Sequence, residues 1–255
     1  MVYLLIFIFG LIIGSFLNVC IYRMPRNESL IFPGSHCVLC KKPVEWYDNI
    51  PLLSYVLLRG KCRSCKASIS PRYFFVELIS AICFFILFSN FQFSYMFWIY
   101  SLLAFSLIVV TFIDLEFQII PDRISLVGIF VGIILSVVFP GLMGATNWKW
   151  AFLNSIIGAL AGGGLIYLTG VLGQLAFKKE SMGGGDVKLM AMIGAFLGWK
   201  LAILIFFLAP FFGTPIGIYI KLVKKEDTIP YGPYISLASF VAMVWGNKIL
   251  SLLIP

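Results

Sequence analysis

The stretch Ser181-Met-Gly-Gly-Gly-Asp186-Val-Lys-Leu-Met-Ala-Met-Ile-Gly-Ala-Phe-Leu-Gly198 joins a glycine-rich turn to an apolar segment. It places one carboxylate, Asp186, at the junction. A carboxylate at the edge of a membrane helix is costly unless it has a partner or a function. The best partner elsewhere is Asp114, which directly follows the apolar run 97–113. We therefore expect the rest of the chain to be a scaffold that brings these two aspartates together.

The composition decides the class of protein. Hydrophobic residues make up 61% of the chain and charged residues only 12%, and the mean hydropathy is +1.01. These values lie well outside the usual range of soluble domains, so a polytopic membrane protein with lipids as neighbours is predicted. The net charge of +8 would suggest nucleic acid as a partner for a soluble chain. In a membrane protein such charges mainly set topology, so no nucleic-acid binding is expected.

Eight apolar runs are long enough to cross a bilayer, alone or with tilt. They cover about residues 3–21, 74–88, 96–113, 124–139, 150–172, 187–199, 201–220 and 234–253. The predicted fold class is therefore all-α and polytopic, with about eight transmembrane helices, although the seventh run could be merged with the sixth. The first run has no basic segment before it and no cleavage site after it. It is predicted to remain as a helix and not to be removed as a signal peptide.

The distribution of Lys and Arg predicts the orientation. Nine of the nineteen lie between Arg23 and Arg72. Alternation of sides puts a second group on the same face, namely Arg123, Lys178, Lys179, Lys221, Lys224 and Lys225, and leaves only Lys149, Lys200 and Lys248 opposite. Acidic residues follow the majority side, including Glu28, Glu45, Asp48, Glu180, Glu226 and Asp227. The bias predicts that both aspartates face the cytoplasm, within a mouth of mixed charge, and that both termini lie outside.

One segment, about 24–72, resembles a small soluble domain. It is too short to build a sizeable core and needs a staple. Cys37-Val-Leu-Cys40 and Cys62-Arg-Ser-Cys65 form two C-x-x-C pairs separated by 21 residues, which is close to the spacing of a zinc ribbon. A closed shell of four thiolates predicts a structural zinc ion and not a catalytic one. Disulfides or a redox pair are the alternatives, which a reducing cytoplasm disfavours.

The chain is accordingly divided into three predicted parts. Residues 1–22 form the first transmembrane helix, and 23–72 form a cytoplasmic four-cysteine zinc-binding domain of zinc-ribbon-like type. Residues 73–255 form a membrane domain that carries the aspartates. The zinc-ribbon-like insert thus lies between the first and second transmembrane helices.

The two aspartates have three interpretations on the residues alone: a catalytic pair, two helix caps, or a proton relay in a cation- or proton-coupled transporter. Two carboxylates that share a site cannot both ionise easily, so one keeps a proton while the other acts as a base on water. Asp186 begins a helix and Asp114 ends one, which makes Asp186 the base and Asp114 the acid in this hypothesis. Asp122 is a rival to Asp114, but it is expected to be an N-cap paired with Arg123.

Four blocks of sequence resemble the type IV prepilin peptidases, a family of the GxGD membrane aspartic proteases that also include presenilin. The blocks are Gly14-Ser-Phe-Leu-Asn-Val-Cys-Ile-Tyr-Arg-Met-Pro-Arg26, the two cysteine pairs around Trp46-Tyr-Asp-Asn-Ile-Pro-Leu-Leu-Ser-Tyr55, Ile113-Asp114 with Ile120-Pro-Asp122, and Gly183-Gly-Gly-Asp186-Val-Lys-Leu. They occur in family order over nearly the whole chain. One departure is Gly184, where the family often has a bulkier residue.

The resemblance implies an activity and a place. Such enzymes remove the basic leader of type IV prepilins, or of type II secretion pseudopilins, after a glycine at the cytoplasmic side of the bacterial inner membrane. Asp114 and Asp186 would be the catalytic pair, and many members then methylate the new N-terminus with S-adenosylmethionine. The sequence has no G-x-G-x-x-G nucleotide motif, so methylation depends on the resemblance alone.

Several residues are predicted to support this site. Gly183, Gly184 and Gly185 would let an extended peptide approach the aspartates closely. Lys188 would steady the charge of the pair or extend to the lipid headgroups, and Asn18 would bond a neighbouring helix. The alternatives to a peptidase are the transporter and a non-enzymatic assembly factor that presents the zinc domain to a secretion partner.

Overall fold

The computed structural model describes residues 1–178, 182–223 and 229–253, and over these ranges it contains α-helices and short 3₁₀ turns but no β-strand. The helices are α1 (Val2–Arg23), α2 (Leu53–Leu57), α3 (Arg72–Phe91), α4 (Tyr95–Phe117), α5 (Asp122–Val138), α6 (Trp148–Phe177), α7 (Gly184–Val223) and α8 (Gly232–Leu253). The all-α prediction is therefore confirmed. Six charged residues assigned to the cytoplasmic mouth lie outside the described residues, namely Lys179, Glu180, Lys224, Lys225, Glu226 and Asp227. Ser181 also lies outside them.

Six helices in the described ranges are long and apolar enough to cross a bilayer, which makes this a multi-pass membrane protein. They are α1, α3, α4, α6, α7 and α8. The count differs from the predicted eight for two reasons. The run at 124–139 forms α5, whose 17 residues are at the lower limit for a span. The runs at 187–199 and 201–220 are joined in one helix of 40 residues, α7.

Helix α7 is not straight, because Gly198 has non-helical dihedral angles of φ 77° and ψ 170°. A methyl group at Gly162 of α6 would contact both Met190 and Ala202, one on either side of this break. The contacting atoms of Met190 and Ala202 are therefore within about 6 Å of each other, whereas a straight helix would separate them by about 18 Å. The chain thus doubles back at Gly198, and both halves of α7 pass the same level of α6.

Glycines let α6 and α7 approach to backbone contact. A side chain at Gly158 would overlap the carbonyl oxygen of Gly194 and lie 2.8 Å from Gly198. The Ser155 hydroxyl donates a hydrogen bond to the Ala195 carbonyl across the same contact, at 2.7 Å. Such small-residue interfaces are how membrane helices gain packing without a hydrophobic driving force.

The chain divides into two compact units, Met1–Phe97 and Trp98–Pro255. In the first, α1 and α3 pack closely, since a side chain at Gly14 would lie 2.7 Å from the Cα atom of Glu77. The predicted division at residues 22 and 72 stays a prediction. Between α1 and α3, the insert has two isolated antiparallel bridges, His36 with Pro43 and Lys61 with Ser68, where a full ribbon would have strands.

Candidate active site and metal centre

Asp114 lies in the last turn of α4, and its carboxylate is held by another helix. Only 5% of Asp114 is exposed. The backbone N–H of Gly232, the first residue of α8, donates a hydrogen bond of 3.0 Å to Asp114 Oδ2. The end of α4 disfavours a negative charge, but the beginning of α8 supplies a donor and a favourable dipole. The Asp114 carboxylate is thus stabilised by α8, because its own helix, α4, does not stabilise a negative charge at its end.

Asp186 is the third residue of α7 and is also buried. Its carboxylate accepts a hydrogen bond from the backbone N–H of Gly183, and its own N–H donates to the Gly183 carbonyl at 3.1 Å. A side chain in the third helical position that reaches back to the residue before the helix is half of a capping box. The backbone of Gly183 in the glycine-rich turn therefore holds Asp186 in place. This agrees with the prediction that Asp186 begins a helix.

The two carboxylates are close enough to interact electrostatically. Their elements meet where Gly185 faces the turn after α4, since a side chain at Gly185 would lie 3.0 Å from Ile120 Cβ. A larger residue at 185 would therefore have to push Ile120 aside by a few tenths of an ångström. The predicted pairing of α4 and α7 is thus present in the fold. Whether the pair is catalytic stays a prediction.

The structure corrects the local interpretation of Asp122. This residue is the first of α5, and Pro121 occupies the N-cap position with no side-chain capping bond. The Asp122 carboxylate pairs with Lys188 at 2.7 Å and not with Arg123. Lys188 lies in the first part of α7, so this ion pair joins the start of α5 to the start of α7. It connects the helix that follows Asp114 to the helix that carries Asp186, and both partners remain substantially exposed.

Sequence reasoning missed Gly232 and its neighbour Tyr231. Burial, and then the charge of Asp186, raise the pKa of Tyr231 to about 12. Tyr231 is therefore close to Asp186, while the N–H of the next residue binds Asp114. The signal was present as Pro230-Tyr-Gly-Pro233, a rigid tetrapeptide before an apolar run, but nothing in a linear pattern connects it to residue 114.

Asn18 lies in the first unit and makes the interhelical bond expected of a buried amide. Its Nδ2 donates to the Tyr73 carbonyl of α3 at 3.1 Å, while its Oδ1 has no partner among the described residues. Nearby, the Glu77 carboxylate of α3 accepts the backbone N–H of Leu52 at 2.8 Å. Both residues thus organise unit Met1–Phe97, and the proposed role of Asn18 near the catalytic site is untested.

The four predicted metal ligands form one cluster. The sulfur atoms of Cys37, Cys40, Cys62 and Cys65 all lie within 4.8 Å of one another. The two halves of the cluster repeat the same turn. Lys41 N–H donates to the Cys37 carbonyl at 2.9 Å, as Lys66 N–H donates to that of Cys62 at 3.0 Å.

The donor set fits zinc in geometry and in charge. Four sulfur atoms on a tetrahedron of 2.3 Å bonds would be about 3.8 Å apart, and Cys37 Sγ lies 3.8 Å from Cys65 Sγ. All six cysteines of the chain are free thiols. The backbone N–H groups of Cys65 and Ser64 lower the pKa of Cys62 to about 6, whereas burial and the three neighbouring thiols raise the pKa of Cys65 to about 11. A bound metal would require both as thiolates, so its charge would have to offset the repulsion within the cluster.

An ion pair supports the second cysteine turn from outside. Arg63 Nε and Nη2 donate to the two carboxylate oxygens of Asp48, each at 2.7 Å. These bonds lower the pKa of Asp48. Asp48 belongs to the 3₁₀ turn Trp46–Asn49, so the pair connects that turn to the residues between the last two cysteines.

Two family models match the chain, and each falls within one structural unit. Residues 8–91 match the Bacterial Peptidase A24 N-terminal domain. Residues 101–218 match the Type IV leader peptidase family. No solved structure matches the chain significantly.

Curated relatives are similar over nearly the whole chain. A protein of Aeromonas hydrophila is 34% identical, covering 96% of this chain and 91% of its own. One of Pseudomonas aeruginosa is 32% identical, with 94% and 89% covered. One of Legionella pneumophila is 34% identical, with 98% and 93% covered. Each is named prepilin leader peptidase/N-methyltransferase.

The family models and the relatives agree on the class of enzyme, a peptidase. The transporter and the non-enzymatic assembly factor receive no support from them. On this evidence the chain belongs to the type IV leader peptidase family.

Proposed function

We propose that this protein is a membrane-embedded aspartic endopeptidase whose catalytic pair is Asp114 and Asp186. The observation that supports it best is that these two buried carboxylates, which come from helices far apart in sequence, lie close enough to influence each other electrostatically. Each accepts one backbone N–H, from Gly232 and Gly183 respectively, and so has further lone pairs for a water molecule and a peptide carbonyl.

The chemistry needs one proton shared by the pair. One carboxylate removes a proton from water as the water attacks the peptide carbonyl, and the protonated partner donates to the carbonyl oxygen. The helix-end argument named Asp186 as base and Asp114 as acid. Asp114 is also at a helix start, that of α8, so this argument no longer separates them. The pair should titrate as a unit.

The substrates are prepilins or pseudopilins, by extension from the relatives' names. The enzyme removes their basic leader after a glycine, at the cytoplasmic face of the bacterial inner membrane. Gly184 leaves open space for an extended chain near Asp186, since an added Cβ atom there would meet nothing within 4 Å. S-adenosylmethionine then serves as co-substrate for methylation of the new N-terminal amine, also by extension from those names.

The chain crosses the membrane eight times in this proposal. Asp114 closes α4 and Asp186 opens α7, so the chain must return to one face between them. The two intervening helices, α5 and α6, then both cross. Gly232 binds Asp114, so α7 must cross twice, turning at Gly198. The short α5 measures about 26 Å, which slight thinning of the bilayer accommodates.

Zinc has a structural role in this proposal. The thiolates of Cys37, Cys40, Cys62 and Cys65 would hold it in a closed four-sulfur shell, with no open position for a substrate. Bound zinc would supply folding free energy to an insert that has no strands and little core.

The test is cleavage of a prepilin by the purified full-length protein in lipid nanodiscs. Asp114→Asn and Asp186→Asn should each lower kcat by at least about 1,000-fold while the protein stays folded, because each removes one partner of the acid–base pair. Asp122→Asn is the matched control and should retain activity within a few-fold. Cleavage that survives either of the first two changes would refute the pair. Labelled S-adenosylmethionine in the same reaction tests methylation.

A further inference from the structure

Gly232 makes the contact that fixes Asp114, and its lack of a side chain is what permits this contact. The N–H of Gly232 donates to Asp114 Oδ2 at 3.0 Å. A Cβ atom added to residue 232 would lie 2.8 Å from that oxygen and 3.3 Å from Asp114 Cγ. Real Cβ atoms do not approach so closely, so a larger residue would displace the carboxylate or α8.

The first turn of α8 has little else to offer Asp114. Pro233 has no N–H, and the N–H groups of Tyr234 and Ile235 donate to the Tyr231 carbonyl at 3.1 and 3.3 Å. Among these first four residues of α8, the N–H of Gly232 is therefore the backbone donor that is left to bind a group from another helix. It is directed at a carboxylate that is 118 residues away in sequence.

The segment that carries Gly232 is held rigidly on both sides. Pro230 and Pro233 restrict the backbone around it. A side chain at Gly213 of α7 would lie 3.1 Å from the Tyr234 ring, and one at Gly217 would lie 3.3 Å from Ile229 Cδ1. The beginning of α8 thus packs against the second half of α7, which fixes the height and direction of the Gly232 N–H.

We propose that Gly232 is a positioning residue of the peptidase centre: its N–H orients Asp114 toward Asp186, and glycine is required there because Asp114 occupies the space of a side chain. Tyr231 extends the same device, since its ring lies near Asp186 while the following N–H binds Asp114. The catalytic centre is therefore built from α4, α7 and the start of α8. This inference rests on the proposed function of the two aspartates.

Gly232→Ala is the test, with steady-state cleavage of a prepilin measured on the full-length protein in nanodiscs. Displacement of a reacting group by about 1 Å costs about 100-fold in rate, so kcat should fall by about that factor. KM should stay within about twofold, because substrate binding is not the property removed. The matched control is Gly164→Ala on α6, where an added Cβ atom would meet nothing within 4 Å. It should keep kcat within about threefold.

Two results would overturn the inference: a Gly232→Ala enzyme within about threefold of wild type, or an equal loss in Gly164→Ala. If the wild-type protein cleaves and the Asp114→Asn and Asp186→Asn variants do not, either of these two results refutes the role of Gly232 and leaves the proposed function standing. If those variants do cleave, the proposed function fails first.

Thermal unfolding supplies a second measurement that does not depend on activity. In an Asp114→Ala chain the carboxylate is absent, so Gly232→Ala should leave the unfolding temperature unchanged. In the wild-type chain the same change should lower it or prevent folding. Equal effects in both backgrounds would show that residues 114 and 232 are not coupled and would refute the proposal.

Discussion

At the scale of single residues, buried polar groups are placed where a backbone donor meets them. Asp114 binds the Gly232 N–H, Asp186 binds the Gly183 N–H, and Glu77 binds the Leu52 N–H. A buried carboxylate is tolerable when such hydrogen bonds replace water. The three carboxylates therefore tie a loop or a helix start to a membrane helix.

The Glu77 contact predicts a difference between two substitutions. Glu77→Ala leaves the Leu52 N–H without its acceptor, which costs about 1–3 kcal/mol. Leu52 has φ 58°, an uncommon conformation for leucine, so its loop should lose order. Glu77→Gln keeps an acceptor oxygen and should cost less. Limited proteolysis near Leu52, together with the unfolding temperature, distinguishes them. Equal cleavage of both variants would mean that this bond does not hold the loop.

At the scale of elements, α6 and α7 depend on glycine at their contact. Gly158→Ala would drive a methyl group into the Gly194 carbonyl and should destabilise the protein by about 1–3 kcal/mol or more. Gly164→Ala is the matched control on the same helix, because a Cβ atom there meets nothing within 4 Å. It should stabilise by up to about 1 kcal/mol, since alanine favours helix. Unfolding temperatures should therefore move in opposite directions. A shift of the same sign in both variants would contradict the close contact.

The cysteine turns are the element whose stability should depend on metal. Purified protein should contain one zinc ion per chain. A strong chelator should remove it and expose the insert to protease. Cys62→Ser should abolish zinc binding, whereas Cys83→Ala, which changes a cysteine of α3 outside the cluster, should retain it. Metal analysis of the two variants is the measurement. Full zinc content in Cys62→Ser would exclude the four-thiolate site.

At the scale of the whole molecule, contacts within the site constrain the number of membrane crossings. If Asp114, Asp186 and Gly232 form one site, as proposed, the chain between any two of them crosses the membrane an even number of times. In the proposed topology α5 would therefore cross despite its length, and α7 would reverse at Gly198, as the contacts of Gly162 also indicate.

Reporter insertions test this topology. Alkaline phosphatase folds only outside the cytoplasm, so an insertion after Lys200, beside the Gly198 turn, should be active. An insertion after Asn27, at the start of the cysteine segment, should be inactive. Activity at Asn27 would invert the predicted orientation, and inactivity at Lys200 would contradict two crossings by α7.

Local sequence patterns were enough to predict most of the helices, the cysteine cluster and the helix start at Asp186. Apolar runs predicted its helices, and the boundaries of α7 and α8 lie within a few residues of those expected. The spacing of the cysteine pairs predicted the cluster, since two thiolates on one tight turn are a local property. The glycines before Asp186 predicted a helix start held through the backbone. Asp122 was wrong in detail, because its partner Lys188 is 66 residues away.

The amino-acid sequence by itself determined the class of protein, the positions of most of its helices and the cluster of four cysteines, because hydropathy, turn chemistry and the spacing of cysteine pairs act over a few residues. Only the tertiary structure decided that Asp114 is held by α8, that Lys188 binds Asp122 and that α7 reverses at Gly198. Those contacts join residues far apart in the chain, and they depend on how closely glycine-lined helices can approach. Short-range sequence patterns do not specify how closely two helices approach each other.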